Sequence, residues 1–136
     1  MVKEISVGGI VFIKDKGITY LVLKYGAGHW DFVKGHLENN ESEKDTFVRE
    51  LKEETGIKDF NIIDGFKEEI SYFFKKDGKL VSKKVIFYLI ESKTKEIRLS
   101  FEHSDYKWLN FEEAYTLVTF KTAKGVLKKA NEFLNK

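Results

Sequence analysis

Hydrophobic positions change period along this chain from two to 3.6 and back, and that alternation predicts the order of its elements. Ile5–Ile13 is rich in β-branched and aromatic residues, Asp15-Lys16-Gly17 is a turn signal, and Ile18–Tyr25 resumes the strand pattern, so a β-hairpin is expected. Gly26–Lys34 lacks a period and reads as loop. Helical spacing begins after Ser42, which is followed three residues later by Asp45 in a variant capping box, and Gly56 is placed to end a helix spanning Glu43–Thr55. Phe60–Phe74 and Val81–Glu91 read as strands joined by the turn Lys76-Asp77-Gly78-Lys79, and Tyr106–Leu109 as a short strand. Asn110 with Glu113 caps a short helix. Ala123, Val126, Leu127, Ala130, Phe133 and Leu134 trace the apolar stripe of a last helix, which reads as core packing. Strands outnumber helices and come in pairs between them, so the expected fold class is α/β (α+β), a mixed sheet covered by helices.

Composition narrows this picture. With 136 residues, 42% hydrophobic and 34% charged, the chain has the size and balance of one globular domain, 1–136. Its net charge of +2 gives no support to a standing nucleic-acid partner. The absence of cysteine excludes a disulfide framework, a thiolate zinc site and a thiol nucleophile, and suits a reducing compartment, the cytoplasm. The apolar run Met1–Phe12 is broken by Lys3 and Glu4 and followed by Lys14, which predicts neither secretion nor membrane insertion. Neither a G-x-G-x-x-G nor a G-x-x-x-x-G-K-[ST] motif is present.

The expected chemistry lies on the helix Glu43–Thr55. At about 100° per residue, Glu50, Glu53 and Glu54 share an arc about 100° wide, with Phe47, Leu51 and Val48 on the adjoining arc. Like charges at i, i+3 and i+4 repel, and a divalent hard cation that takes carboxylate oxygens and bridges to phosphates relieves the repulsion. Taken alone, an R-E-x-x-E-E string is ordinarily a solvated surface. The wider context reverses that reading: Gly35–Ile57, GHLENNESEKDTFVRELKEETGI, fits G-x5-E-x7-R-E-U-x-E-E-x-G-U (U apolar) at Gly35, Glu41, Arg49, Glu50, Leu51, Glu53, Glu54, Gly56 and Ile57.

This segment resembles the signature of the Nudix hydrolases. The resemblance implies a mixed sheet sandwiched between helices, and hydrolysis of nucleoside diphosphates linked to another group, with Mg²⁺ or in its place Mn²⁺. It implies Glu50, Glu53 and Glu54 as metal ligands or their supports, the Gly35 carbonyl beside them, and Arg49 as the residue that orients a glutamate. Glu41 is implied to order the loop as readily as to meet metal. A bound cation neutralises a pyrophosphate bridge and acidifies water, and a carboxylate completes proton removal. Glu53, Glu54 and Glu102, in the loop Ser100–Ser104, are the candidates for that base.

Beyond the box, His29-Trp30, Lys34-Gly35-His36, Ile63–Tyr72 and above all Glu96–Ala114 (EIRLSFEHSDYKWLNFEEA) resemble the asymmetrical diadenosine tetraphosphate hydrolases of the animal and archaeal type. That resemblance puts Tyr25, His29, Lys34 and Lys83 around phosphates, Tyr72 and Phe120 as a stacking pair for adenine, and Glu102 near the metals. It implies a dinucleoside polyphosphate substrate cleaved to ATP and AMP; apart from the resemblance, a monomer is favoured, and the lack of a long apolar run predicts no membrane partner. Each residue also has a plainer reading: His29 as a surface or packing histidine, the two lysines as ordinary members of 24 Lys and Arg, and Tyr72 and Phe120 as core among 20 aromatics. The branch typically carries prolines where this chain has Asp31-Phe32-Val33 and Asn39-Asn40, so looser loops are expected around intact ligands. Two other functions fit much of the pattern, removal of pyrophosphate or a cap from RNA 5′ ends and a catalytically silent nucleotide-binding domain. The absence of a long basic, aromatic-interleaved surface speaks against the first, and the intact Glu50, Glu53 and Glu54 against the second.

Overall fold

Two long strands run side by side through the centre of the structure, a computed structural model that describes all 136 residues. β1 (Val2–Lys14) pairs in parallel with β7 (Lys79–Ser92) from Val2↔Val81 to Phe12↔Glu91. Around them lie β2 (Ile18–Tyr25), β3 (Trp30–Asp31), β4 (Val33–His36), β5 (Phe60–Ile62), β6 (Glu68–Lys76) and β8 (His103–Leu109). The helices are α1 (Glu43–Thr55), α2 (Phe111–Leu117) and α3 (Lys121–Leu134). Both expected hairpins form, β1 with β2 and β6 with β7, and with the β1–β7 pair they make the sheet mixed.

Alternation along the strands builds two cores. Ile10, Phe12, Tyr20, Val22, Val85, Phe87 and Leu89 face α2 and α3, while Val7, Val11, Leu21, Leu23, Ile86, Tyr88 and Ile90 face α1 through Phe47 and Leu51. A strand buried on both faces reads as a continuous apolar run, which is why Ile5–Ile13 and Val81–Glu91 were legible. Gly9 permits the approach of α1, because a Cβ there would overlap the Phe47 ring.

Local expectations are refined in four places. The segment Gly26–Lys34 is not loop throughout: Trp30–Asp31 pairs with β2, and Val33–His36 pairs with β1. Such short edge strands are held by their neighbours' hydrogen bonds and carry little pattern of their own. Phe60–Phe74 divides into β5 and β6 around Ile63–Lys67, where Gly65 takes a φ of 91°. The last strand starts at His103, earlier than Tyr106, so the loop bearing Glu102 ends at that residue and His103 and Ser104 belong to β8. At Asn39-Asn40 the chain turns with Asn40 at a φ of 71°, a conformation that asparagine tolerates better than most side chains.

The topology places the site. Along one edge β1 pairs first with β4, at Ser6–Gly9, and then with β2, at Phe12–Lys14, so these two neighbours diverge from a common strand. β4 alternates across that divergence. Lys34, paired with Gly8, shares the face of Phe87, and Gly35, paired with Val7, shares the face of α1.

Candidate active site

The capping expected from sequence sets α1 in place. Ser42 Oγ accepts the Asp45 N–H at 3.1 Å, and Gly56, with φ at 75°, returns its N–H to the Lys52 carbonyl at 2.9 Å. Gly35 then sits directly against Glu50, and any Cβ would overlap that side chain's carboxyl end. Arg49 organises the helix start. Its Nε and Nη2 fork onto Glu41 at 2.8 and 3.0 Å, its Nη1 reaches Glu50 at 2.7 Å and Glu53 at 3.4 Å, and Nη2 also meets the His36 carbonyl at 3.3 Å. Thr46 donates to Glu41 at 3.0 Å. These bonds to Arg49 and Thr46 hold the Glu41 carboxyl below its usual range and tie the segment before α1 to the helix.

Glu54 is the anomaly of the helix. It is 3% exposed and its Oε1 has no hydrogen-bond partner. Burial raises its pKa well above the carboxylate range, and the neighbouring Glu50 and Glu102 push it further. His103 Nε2 stands 3.3 Å from the same oxygen, outside hydrogen-bonding geometry and likewise unpartnered, while its Nδ1 lies 3.1 Å from Ser100 Oγ. Burial lowers the His103 pKa, so the pair is not a strong ion pair.

The three helix glutamates do not converge as their shared arc suggested. Glu53 leans into solvent toward Arg49, whereas Glu54 turns inward beside Glu50, and no three His, Asp or Glu side chains stand as a ready ligand set. The donors nonetheless fit a hard divalent cation. Two adjacent carboxyls, one buried with a free oxygen, are the oxygen-rich and under-neutralised environment that such an ion relieves.

The other residues named from sequence fall into two groups. Tyr25 is half-buried, donates to the Phe32 carbonyl at 2.6 Å, stacks on His29 at 4.7 Å between ring centroids and meets His103 edge-on at 4.4 Å. Burial and the surrounding carboxylates push its phenol well above the ordinary tyrosine range. His29 continues the row to Phe120 at 5.3 Å. Glu102 joins this group through its carbonyl, which accepts the Gly26 N–H at 3.1 Å.

On the opposite face, Lys34, Tyr72 and Phe120 line a cavity of about 340 Å³ with Asp31, Ile70, Phe87 and the first residues of α3. Tyr72 and Phe120 share this cavity without stacking on each other. Phe120 is 46% exposed, and no side chain caps the start of α3. Lys83 is absent from the lining. It lies in register between Tyr72 and Glu4 and bonds Glu4 at 3.3 Å. Two residues escaped the sequence reading, Asp31, which fixes Lys34 at 2.9 Å, and His103. Asp31 stands three residues before Lys34 and His103 directly follows Glu102, so both were adjacent to named candidates.

With this geometry in view, the NUDIX domain model matches residues 3–130. The chain belongs to the Nudix family. Nudix hydrolases generally need a divalent metal, in keeping with the Glu50 and Glu54 environment. The chain is 41% identical over 123 residues to the asymmetrical bis(5′-nucleosyl)-tetraphosphatase of Mus musculus, covering 86% of this chain and 81% of the relative. It is 39% identical over 128 residues to that of Sus scrofa, covering 90% and 84%. Among solved structures, a binary complex of a C. elegans Ap4A hydrolase superposes with a TM-score of 0.81 at 28% identity, over 99% of this chain and 98% of that one.

Proposed function

We propose that this Nudix protein hydrolyses diadenosine tetraphosphate asymmetrically to ATP and AMP, with Mg²⁺ as its cation and Mn²⁺ able to replace it. The observation that carries the reading is the junction at Lys34-Gly35. On one side lies the half-buried Glu50 beside the buried Glu54, whose Oε1 has no hydrogen-bond partner, and on the other an aromatic cavity lined by Lys34. The named tetraphosphatase relatives supply the substrate class.

Glu50, Glu54 and the Gly35 carbonyl would hold the cation, and Glu53 and Glu102 would add oxygens to it. Once bound, the cation supplies positive charge against the phosphate oxygens and acidifies a water molecule. Arg49 orients Glu50 and Glu53 through its Nη1. Glu53, Glu54 or Glu102 takes the proton of the attacking water. Lys34, Lys83, His29 and the Tyr25 ring line the polyphosphate path, and Tyr72 and Phe120 take an adenine between them, a contact with little base discrimination. The lack of cysteine supports a reducing compartment, the cytoplasm, and the lack of a broad basic surface speaks against a standing nucleic-acid partner.

Incubation with Mg²⁺ and diadenosine tetraphosphate in ¹⁸O-labelled water tests the proposal. ATP and labelled AMP are expected, and two molecules of ADP would contradict the asymmetric cut. Absence of turnover with either cation, together with hydrolysis of triphosphorylated or capped RNA, would replace the substrate.

A further inference from the structure

Two lysines on one face of the sheet are each paired with a carboxylate, and the pairs differ in how firmly they are held. Lys34 Nζ lies 2.9 Å from Asp31 Oδ2. Asp31 is 2% exposed, and its other oxygen accepts the Phe32 N–H at 2.7 Å, so this carboxylate is locked from two sides. Lys83 Nζ lies 3.3 Å from Glu4 Oε1, and that is the one side-chain hydrogen bond either residue makes. The Glu4 side chain is 21% exposed against 9% for Lys83. Glu4 can therefore rotate toward water at little cost, whereas Lys83 cannot leave.

Register explains why the two meet. Glu4 and Lys83 are partners in the parallel β1–β7 ladder, and Tyr72 is the antiparallel partner of Lys83 on the other side. The row Tyr72, Lys83, Glu4 thus puts the lysine between an aromatic wall of the cavity and the carboxylate. The cations on other strands whose charge reaches Lys83 are Lys34 on β4 and Lys76 on β6. Burial chiefly disfavours its charge, these cations add to that, and Glu4 is the anion that offsets them.

We propose that Glu4 is an affinity-setting residue of the phosphate subsite: it holds Lys83 while the site is empty and yields it to an incoming polyphosphate. The inference rests on the reading above in which Lys83 meets phosphate. An ammonium already neutralised by Glu4 attracts an anion less than a free one, so exchange of partners subtracts from affinity. The same competition acts on a nucleotide product that still carries phosphates, and so favours its release. Asp31 does not act this way, because its second bond and burial keep it in place beside Lys34.

Glu4→Gln keeps the shape and removes the charge. In this variant we expect calorimetric binding of inorganic tripolyphosphate to tighten about 1.5- to 5-fold, the range set by loss of a partly exposed ion pair. KM for diadenosine tetraphosphate should fall in parallel, with kcat changing less. Lys83→Met should weaken tripolyphosphate binding, and adding Glu4→Gln to it should have no further effect. Glu4→Ser, a smaller neutral side chain, should reproduce the tightening if Glu4→Gln is recovered unfolded. Unchanged or weaker tripolyphosphate binding in a folded neutral variant would overturn the proposal and make Glu4 a support for Lys83. Tightening that persists without Lys83 would also overturn it, since a general loss of negative charge would then explain the effect. If the wild-type protein binds tripolyphosphate in this Lys83-dependent way but leaves diadenosine tetraphosphate intact, the substrate assignment fails while the Glu4 assignment stands.

Discussion

At the scale of single residues, the site depends on a side chain that is missing. Gly35 leaves room for Glu50, whose carboxyl is fixed by Arg49 at 2.7 Å. The obstruction in Gly35→Ala falls on the far end of a flexible side chain, so the fold can relax by moving Glu50 aside. We expect the variant to lose less than about 1 kcal/mol of stability. Activity should fall about 10²-fold, because displacing a ligand or base by about 1 Å costs that much. Thermal melting and kcat measured on one preparation check both halves of this expectation. An equal loss in the two would show that Gly35 serves folding alone. The spacing of the box made Gly35, Arg49, Glu50, Glu53 and Glu54 legible, since 23 residues suffice to state it. It did not reveal that Glu54 would be buried and Glu53 exposed, because helical angles give a direction around an axis and not the depth of what packs there. His103, the residue opposite Glu54, comes from a strand far away in sequence.

Among the elements, α1 was the most readable because its start, stop and apolar positions agree. Ser42, Gly56, Phe47 and Leu51 all play the parts their types suggest. What the helix needs from elsewhere is Gly9 in β1, which lets the Phe47 ring settle on the sheet. The Phe47 ring is buried and confined, unlike the Glu50 carboxyl, so Gly9→Ala should cost about 2 kcal/mol through overpacking. For a domain of this size we expect the melting temperature to drop by roughly 4–8 °C, as differential scanning calorimetry would show. A smaller ring at the same place, in the double variant Gly9→Ala with Phe47→Leu, should recover part of the loss. The short strands β3 and β4 were the least readable elements. Their hydrogen bonds are supplied by β2 and β1, and a segment of two to four residues is too short to display a period.

Across the whole molecule, the two-faced core brings ionisable groups into places where ionising is costly. Tyr20, buried beside α3, donates to Asn131 at 2.7 Å, and burial pushes its phenol up to about 12. Tyr88, which donates to Glu43 at 2.8 Å, is likewise pushed up to about 12, chiefly by burial. A raised tyrosine favours the protonated native state, so its stabilising contribution is present below about pH 10, where the unfolded phenol ionises. That contribution is lost as pH rises from about 10 to about 12. Urea midpoints should therefore fall steeply across this window, and Tyr20→Phe should make the fall shallower by removing one ionisation. An unchanged slope in the variant would show that other groups govern alkaline unfolding. At this scale the sequence by itself determined the mixed α/β class, both hairpins, the carboxylate helix and the family, because each is written in periods and spacings of a few to some twenty residues. Only the tertiary structure decided that β1 and β7 run in parallel, that Lys83 meets Glu4, and that Glu54 is buried opposite His103. Those facts arise from contacts between residues far apart along the chain, whose burial and register are set by the packing of the whole sheet.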